Sequence, residues 1–166
     1  EVVAADPRML LFVGSSNPVR DISLTHPELG PRCWVNRGAS GIDGNISTAS
    51  GLALHHSGPV IAFLGDLAAV HDSGGLLIPT LETAPRNLTI VVANDDGGGI
   101  FATLEQGAPA YATQFERLFG VPHGVNFASL AAGWGVEYRQ CTVAELPTAI
   151  GCLLYTSPSP RDVEES

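Results

Sequence analysis

Two short acidic stretches stand out for the chemistry they could do. One is the Gly65-Asp66 pair, and the other is the run Asn94-Asp95-Asp96-Gly97-Gly98-Gly99. Asp66 and Asp95 are 29 positions apart, room for one strand-helix-strand crossover. Two carboxylates and a glycine-rich turn offer hard oxygen ligands to a magnesium-sized cation, which favours a few carboxylates together with phosphate oxygens. The residues therefore predict a metal that bridges the protein to a phosphorylated cofactor. By residue type alone, Asp66 reads as an N-cap for a following helix; the pairing with the Asn94–Gly99 turn is what favours a ligand.

The elements that must position these loops are apolar runs. Val60-Ile61-Ala62-Phe63-Leu64 leads into Gly65-Asp66, and Leu88-Thr89-Ile90-Val91-Val92-Ala93 leads into Asn94. Short apolar, β-branched runs bounded by glycine or proline read as buried strands. Alternating with helical stretches, they predict an α/β three-layer sandwich with a mainly parallel sheet. Ligands in such sheets bind at the carboxyl ends of the strands, so the two acidic loops should lie side by side at one edge. Met9–Val13 and Cys33-Trp34-Val35 are read as further strands, with Pro18 in the first turn of a short helix between them. Helices are expected over Asn45–His55, Ala68–Ile78 (weakened by Gly74-Gly75), Phe127–Trp134 and Val143–Ile150, and another strand over Val136–Gln140.

Composition narrows the function class. A chain of 166 residues, 45% hydrophobic, is one domain with a real core. The net charge of −9 argues against a nucleic-acid surface. It does not argue against a diphosphate, because a metal and helix N-termini supply positive field locally. No apolar run approaches membrane-spanning length, and Glu1–Pro7 does not read as a signal peptide. Cys33, Cys141 and Cys152 lack metal-type spacing and read as buried free thiols. His26, His55, His56, His71 and His123 fit no HExxH or His/Cys pattern, and His71-Asp72 is read as helix surface. Without a Gly-x-Ser-x-Gly elbow or a Gly-Lys-Ser/Thr loop, hydrolase and P-loop readings fail.

The Gly-Asp pair, the spacer and the Asn/Asp-rich turn at a strand end resemble the thiamine diphosphate motif of thiamine-dependent enzymes. The second half is more specific. Asn94-Asp95-Asp96-Gly97-Gly98-Gly99-Ile100-Phe101 with Leu104-Glu105-Gln106-Gly107 resembles the actinobacterial type of the 2-succinyl-5-enolpyruvyl-6-hydroxy-3-cyclohexene-1-carboxylate synthase family of menaquinone biosynthesis. So do Ser15-Ser16-Asn17-Pro18-Val19-Arg20-Asp21, Asn36-Arg37-Gly38-Ala39-Ser40-Gly41-Ile42-Asp43-Gly44 and Gly65-Asp66-Leu67. The resemblance covers Val2 to Ile150 and only the C-terminal, diphosphate-binding domain of that family.

What the resemblance implies is a thiamine diphosphate-binding fold holding thiamine diphosphate and Mg2+ (or Mn2+). Asp66, Asp95 and the Gly97 carbonyl would be the metal ligands. Asp96 stands where the family often has Asn, which adds a carboxylate that either tightens the metal or strains the loop. Gly41, Ile42, Gly65, Asp66, Leu67, Asp95, Gly97, Gly98 and Ile100 would contact the cofactor, with Ile42 as the wedge under the thiazolium ring; by type alone Ile42 is equally a core residue. Ser40 and Asp43 are read as turn and capping residues. Ser16, Arg20, Arg37, Phe101 and Leu104 would face the substrate, the two arginines clamping carboxylates through their planar forks. Without the resemblance, these arginines read as surface ion-pair partners, and the two apolar residues are equally core.

The implied reaction decarboxylates 2-oxoglutarate and adds the succinyl semialdehyde unit to isochorismate. The pyrimidine-activating glutamate would lie on a separate pyrimidine-binding domain, with the site between two subunits in the cytoplasm. No catalytic acid or base is assigned within this sequence. Residues 1–151 are expected to be an incomplete diphosphate-binding domain. Residues 152–166, with Ser157-Pro158-Ser159-Pro160, resemble a translated sequencing adaptor and are expected to be a non-native or disordered tail in place of a final strand. Two alternatives remain: a different thiamine enzyme, such as an acetolactate synthase relative, and a non-catalytic phosphate-binding module.

Overall fold

The computed structural model describes residues 3, 6–36 and 41–155. Four parallel strands form the sheet: β1 (Leu10–Val13), β2 (Cys33–Val35), β3 (Val60–Gly65) and β4 (Leu88–Ala93), in the order β2-β1-β3-β4. Helices α1 (Asn17–Thr25), α2 (Asn45–His55) and α3 (Asp66–His71) connect them, and α4 (Ala112–Phe115), α5 (Phe127–Trp134) and α6 (Leu146–Tyr155) follow.

The strand side chains sort by parity, as a period of two requires. Leu11, Val13 and Ile61, with Cys33, Val35, Phe63 and Val91, meet Val19 and Ile22 of α1 and Leu146 and Ile150 of α6. Phe12, Ala62 and Leu64, with Leu88, Ile90 and Val92, meet Ile46, Ala49 and Leu52 of α2, Ala69 of α3 and Phe127 of α5. Burial on both faces is why β1 and β3 read as continuous apolar runs. The result is the expected α/β three-layer arrangement. β4 is an outer strand, and five of its residues are half-buried.

The chain first steps from β1 outward to β2, then back past β1 to β3 and on to β4. Crossovers of one hand put helices on opposite faces when the direction of travel reverses. Accordingly α1 covers one face, and α2 and α3 cover the other. The reversal lies between β1 and β3, where Gly14 N–H still donates to the Phe63 carbonyl at 2.8 Å. At such a switch point the loops leave to opposite faces and open a crevice at the strand ends.

Several expectations need correction. The helix expected over Ala68–Ile78 starts earlier, at Asp66, and ends at His71, followed by a 3-10 turn over Ser73–Leu76. Gly75 packs against Ile46, with room for a Cβ only 3.0 Å from the Ile46 Cβ, so the chain turns tightly there. Val136–Gln140 is not a strand. Its alternation is real, but Val136 and Tyr138 are exposed and pair with no strand among the described residues. The last helix begins three residues later than Val143 and runs through Cys152 to Tyr155, so residues 152–155 continue a helix; the rest of the expected tail lies outside the described residues. Cys33 and Cys141 are free thiols but half-buried rather than buried, and burial pushes the Cys33 thiol up.

Candidate functional site

Register places the two acidic loops side by side. Gly65 of β3 pairs with Ala93 of β4, so Asp66 and Asn94 both start just past the sheet edge. Asp66 is 2% exposed and opens α3, with Gly65 as the N-cap position. Its carboxylate does not cap α3 from outside. Oδ1 accepts from Leu67 N–H at 2.6 Å, and Oδ2 accepts from Gly97 N–H at 2.9 Å, 31 residues away. The two halves of the motif are thus tied by a buried, charge-assisted hydrogen bond of a kind roughly twice as strong as a neutral one.

Asp95 is exposed as a residue, but its carboxyl turns back against Gly99, where a Cβ would collide with Oδ2. Partial burial of that group, and then the neighbouring Asp66 charge, push its pKa up. The glycine triplet follows from packing. A Cβ on Gly97 would strike the Gly120 carbonyl and one on Gly98 the Phe119 carbonyl, and Gly98 N–H donates to Gly120 O at 2.6 Å. Gly97 also holds a φ of 145°, open to glycine alone. The π-helical turn 116–120 therefore sits directly on the Gly97–Gly99 loop.

Asp96 does not crowd the other two carboxylates. At φ 59° it faces the 121–125 loop, and its Oδ1 accepts from His123 N–H at 3.2 Å and Gly124 N–H at 2.9 Å. Asn94 accepts from Asp96 N–H at 3.2 Å and closes the turn.

Two residues that sequence reasoning set aside belong here. His123 reaches Asp66 Oδ2 through Nε2 at 3.2 Å. Asp72 is not mere helix surface: Gly44 N–H donates to its Oδ1 at 2.8 Å and Ile46 N–H to its Oδ2 at 2.6 Å. It caps α2 from 26 and 28 residues away, the role expected nearer by of Asp43, and fastens the loop that carries Ile42 to the end of α3. Neither residue has a sequence motif. The Pro122-His123-Gly124 punctuation marks only a turn.

The other expected site residues take clear places. Ile42 is 40% exposed at the sheet edge, which rules out simple core packing. Its carbonyl accepts from Asn45 Nδ2, and Gly41 lies close against Asp43. Leu67 and Ile100 are half-buried. Phe101 packs against Phe119 with tilted rings, centroids 5.7 Å apart, and Leu104 is 40% exposed. Ser16 and Arg20 are exposed after β1, one strand over from β3. Ser16 holds φ 79° and ψ −137°, a conformation costing roughly 1–3 kcal/mol in a non-glycine residue. Arg37 and Ser40 lie outside the described residues.

Among the described residues, no cluster of three or more His, Cys, Asp or Glu side chains forms a metal cage. Asp66 accepts three hydrogen bonds, which leaves one of about four lone-pair sites, on Oδ1, for a further partner, and the Asp95 carboxyl lies beside the group. That Oδ1 site, the Asp95 carboxyl and the Gly97 carbonyl are the oxygens that the two loops could offer to a cation, with a net negative charge. Being fewer than the six ligands of an octahedral ion, these oxygens would suit a magnesium-type ion completed by phosphate or water oxygens.

The family model described as "Thiamine pyrophosphate enzyme, C-terminal TPP binding domain" matches residues 22–159. Among the similar proteins are three named 2-succinyl-5-enolpyruvyl-6-hydroxy-3-cyclohexene-1-carboxylate synthase. The one from Nocardia farcinica is 56% identical over 137 residues, 82% of this chain and 25% of the relative. That from Rhodococcus opacus is 52% identical over 154 residues, 92% of this chain and 28% of the relative. That from Saccharopolyspora erythraea is 50% identical over 167 residues, 99% of this chain and 29% of the relative. The chain thus spans between a quarter and a third of the length of these relatives. With a matching family model over most of its length and a parallel α/β sheet to carry it, the chain belongs to the family of thiamine pyrophosphate enzyme C-terminal TPP-binding domains.

Proposed function

We propose that this chain is the diphosphate- and metal-binding part of a synthase of menaquinone biosynthesis. The whole enzyme would decarboxylate 2-oxoglutarate and add the succinyl semialdehyde unit to isochorismate. The single observation that carries the reading is the buried Asp66 carboxylate tied to Gly97 N–H, because it assembles both halves of the motif at one strand edge. The relatives' shared name supports the choice of this synthase over an acetolactate synthase relative or a non-catalytic phosphate-binding module.

In this reading Asp66, Asp95 and the Gly97 carbonyl would hold Mg2+ or Mn2+, which would supply positive charge for the diphosphate of thiamine diphosphate. The cofactor, when bound, supplies the electron sink for decarboxylation. This chain's residues bind and orient. Gly41, Gly65, Leu67, Gly98 and Ile100 line the cofactor, and Ile42, exposed on a loop pinned by Asp72, presents an apolar wedge to its ring. Ser16, Arg20 and Arg37 receive substrate carboxylates, with Phe101 and Leu104 as apolar walls. The pyrimidine-activating glutamate comes from another domain and the rest of the site from a second subunit, in the cytoplasm. Residues 152–166 stand outside the functional unit, and the chain alone gives no turnover.

The test uses the full-length gene product. Thiamine diphosphate is titrated with and without Mg2+, and 2-oxoglutarate decarboxylation is followed with and without isochorismate. Magnesium-dependent binding and isochorismate-dependent carboligation are expected. Binding without any turnover would favour the phosphate-binding module. Turnover of pyruvate in place of 2-oxoglutarate would favour the acetolactate synthase relative.

A further inference from the structure

His123 is 57 residues from Asp66 in sequence, yet its ring lies at the centre of the site, with a side chain 10% exposed. Two contacts fix the ring and a third fixes its backbone. Val125 N–H donates to Nδ1 at 2.9 Å, Phe127 meets it edge-on with centroids 5.9 Å apart, and its own backbone N–H is held by Asp96. Because Nδ1 accepts from Val125, the proton sits on Nε2, which donates to Asp66 Oδ2 at 3.2 Å. Asp96 Oδ1, 3.6 Å from Nδ1, is beyond hydrogen-bond reach of the ring and is taken up by the His123 and Gly124 backbone. A closed circuit results. Asp66 holds Gly97, the neighbouring Asp96 holds the 123–124 backbone, and His123 returns to Asp66.

We propose that His123 is a positioning residue for the Asp66 carboxylate: by donating from Nε2 it completes the hydrogen bonding of Oδ2 and fixes the carboxylate plane, so that the remaining Oδ1 lone pair meets the cation. The proposal deepens the reading above and rests on Asp66 being a metal ligand. A carboxylate ligand needs such partners because a ligand free to rotate loses affinity; removing outer partners of metal ligands typically weakens binding about 10–100-fold. His123 need not carry charge for this, and no step of turnover passes through it.

The experiment uses the full-length protein at saturating thiamine diphosphate, with Mn2+ as the probe and its dissociation constant read by electron paramagnetic resonance. His123→Phe keeps a ring against Phe127 but has no donor, whereas His123→Gln restores a donor near Nε2. The Phe variant should raise the Mn2+ dissociation constant about tenfold or more and the Gln variant less than about threefold. Metal-free melting temperatures of both should stay within about 2 °C of wild type. Asp66→Asn in the same titration tests the underlying reading. If Asp66→Asn loses Mn2+ while His123→Phe binds as wild type, the positioning role is overturned and the metal reading stands. If Asp66→Asn binds as wild type, both fall. Equal weakening by Phe and Gln, with equally lowered metal-free melting, would show that His123 only props the loop and would overturn the proposal.

Discussion

Two pairs of loops leave the same sheet edge and are built differently. After β3 and β4, Asp66, Asp96, Gly97 and Gly98 are all engaged by other parts of this chain, with Asp66, Gly97 and Gly98 buried. After β1 and β2, Ser16, Arg20 and Ile42 are exposed. The first pair is pre-organised by its own fold. The second presents side chains outward from a frame that is itself held, Ile42 by the Asp72 cap and Ser16 by an unusual backbone conformation at the start of α1. On the proposed reading, the metal end of the cofactor is gripped by this chain, and the reactive end and substrate are met by residues left open for other parts of the enzyme.

That contrast makes the largest effects fall on the closed pair. In the full-length protein, Asp66→Ala strands Gly97 N–H and His123 Nε2 in a buried site and, on the proposed reading, also removes an oxygen ligand. Each charged hydrogen bond lost is worth about 1.5–3 kcal/mol, so magnesium-dependent thiamine diphosphate affinity should fall about 100-fold or more. Glu82→Ala, on an exposed turn, is the proper control. Asp72 would be a poor one, because it caps α2. Equal effects of Asp66→Ala and Glu82→Ala would erase the distinction between the loops.

Next in size is Gly98→Ala. Its Cβ would meet the Phe119 carbonyl, a backbone atom that cannot rotate away. Overpacking of this kind costs about 1–3 kcal/mol and should lower the melting temperature by several degrees. Gly51→Ala offers the matching contrast. It is exposed inside α2 with open space around its Cβ position, and gains helix propensity of about 1 kcal/mol. If both substitutions destabilised alike, the docking of 116–120 on the glycine loop would not explain the triplet.

Asp72→Ala should do less, about 0.5–2 kcal/mol for a lost cap. Its effect should appear in thermal stability and, through the Ile42 loop, in cofactor affinity. Asp72→Asn keeps one acceptor oxygen and should fall between. A loss of stability with cofactor affinity untouched would uncouple α3 from the Ile42 loop.

What could be read from sequence divides along the same line. Strand ends, the α2 and α5 helices and the adjacency of the two acidic loops were legible because each rests on a local pattern, apolar runs stopped by glycine. Asp72 and His123 were not, because their roles depend on partners 26 to 57 residues away that only the folded chain brings near. Val136–Gln140 fails for a related reason. Its alternating Val136, Glu137, Tyr138 and Arg139 suit a strand, but pairing is a property of two segments, and no described strand lies beside it. The α3 boundary moved because Asp66 satisfies Leu67 N–H itself, starting the helix at the motif rather than after it.

The smallest expected effect tests the open pair. Arg20 lies one turn into α1, exposed, past the strand next to β3. If it receives a substrate carboxylate, Lys in its place keeps the charge but loses the planar fork and one of two parallel hydrogen bonds. A difference of about 1 kcal/mol follows, or roughly fivefold. In the full-length enzyme, Arg20→Lys should raise the KM for one carboxylated substrate by that factor and leave the thiamine diphosphate dissociation constant and melting temperature unchanged. The separation matters more than the size. Arg20 is on the open side, so a change there should reach the substrate without passing through Asp66, the glycine loop or the metal. Weaker cofactor binding with KM unchanged would assign Arg20 to the diphosphate side, and the division between a closed metal end and an open substrate end would have to be redrawn through β1.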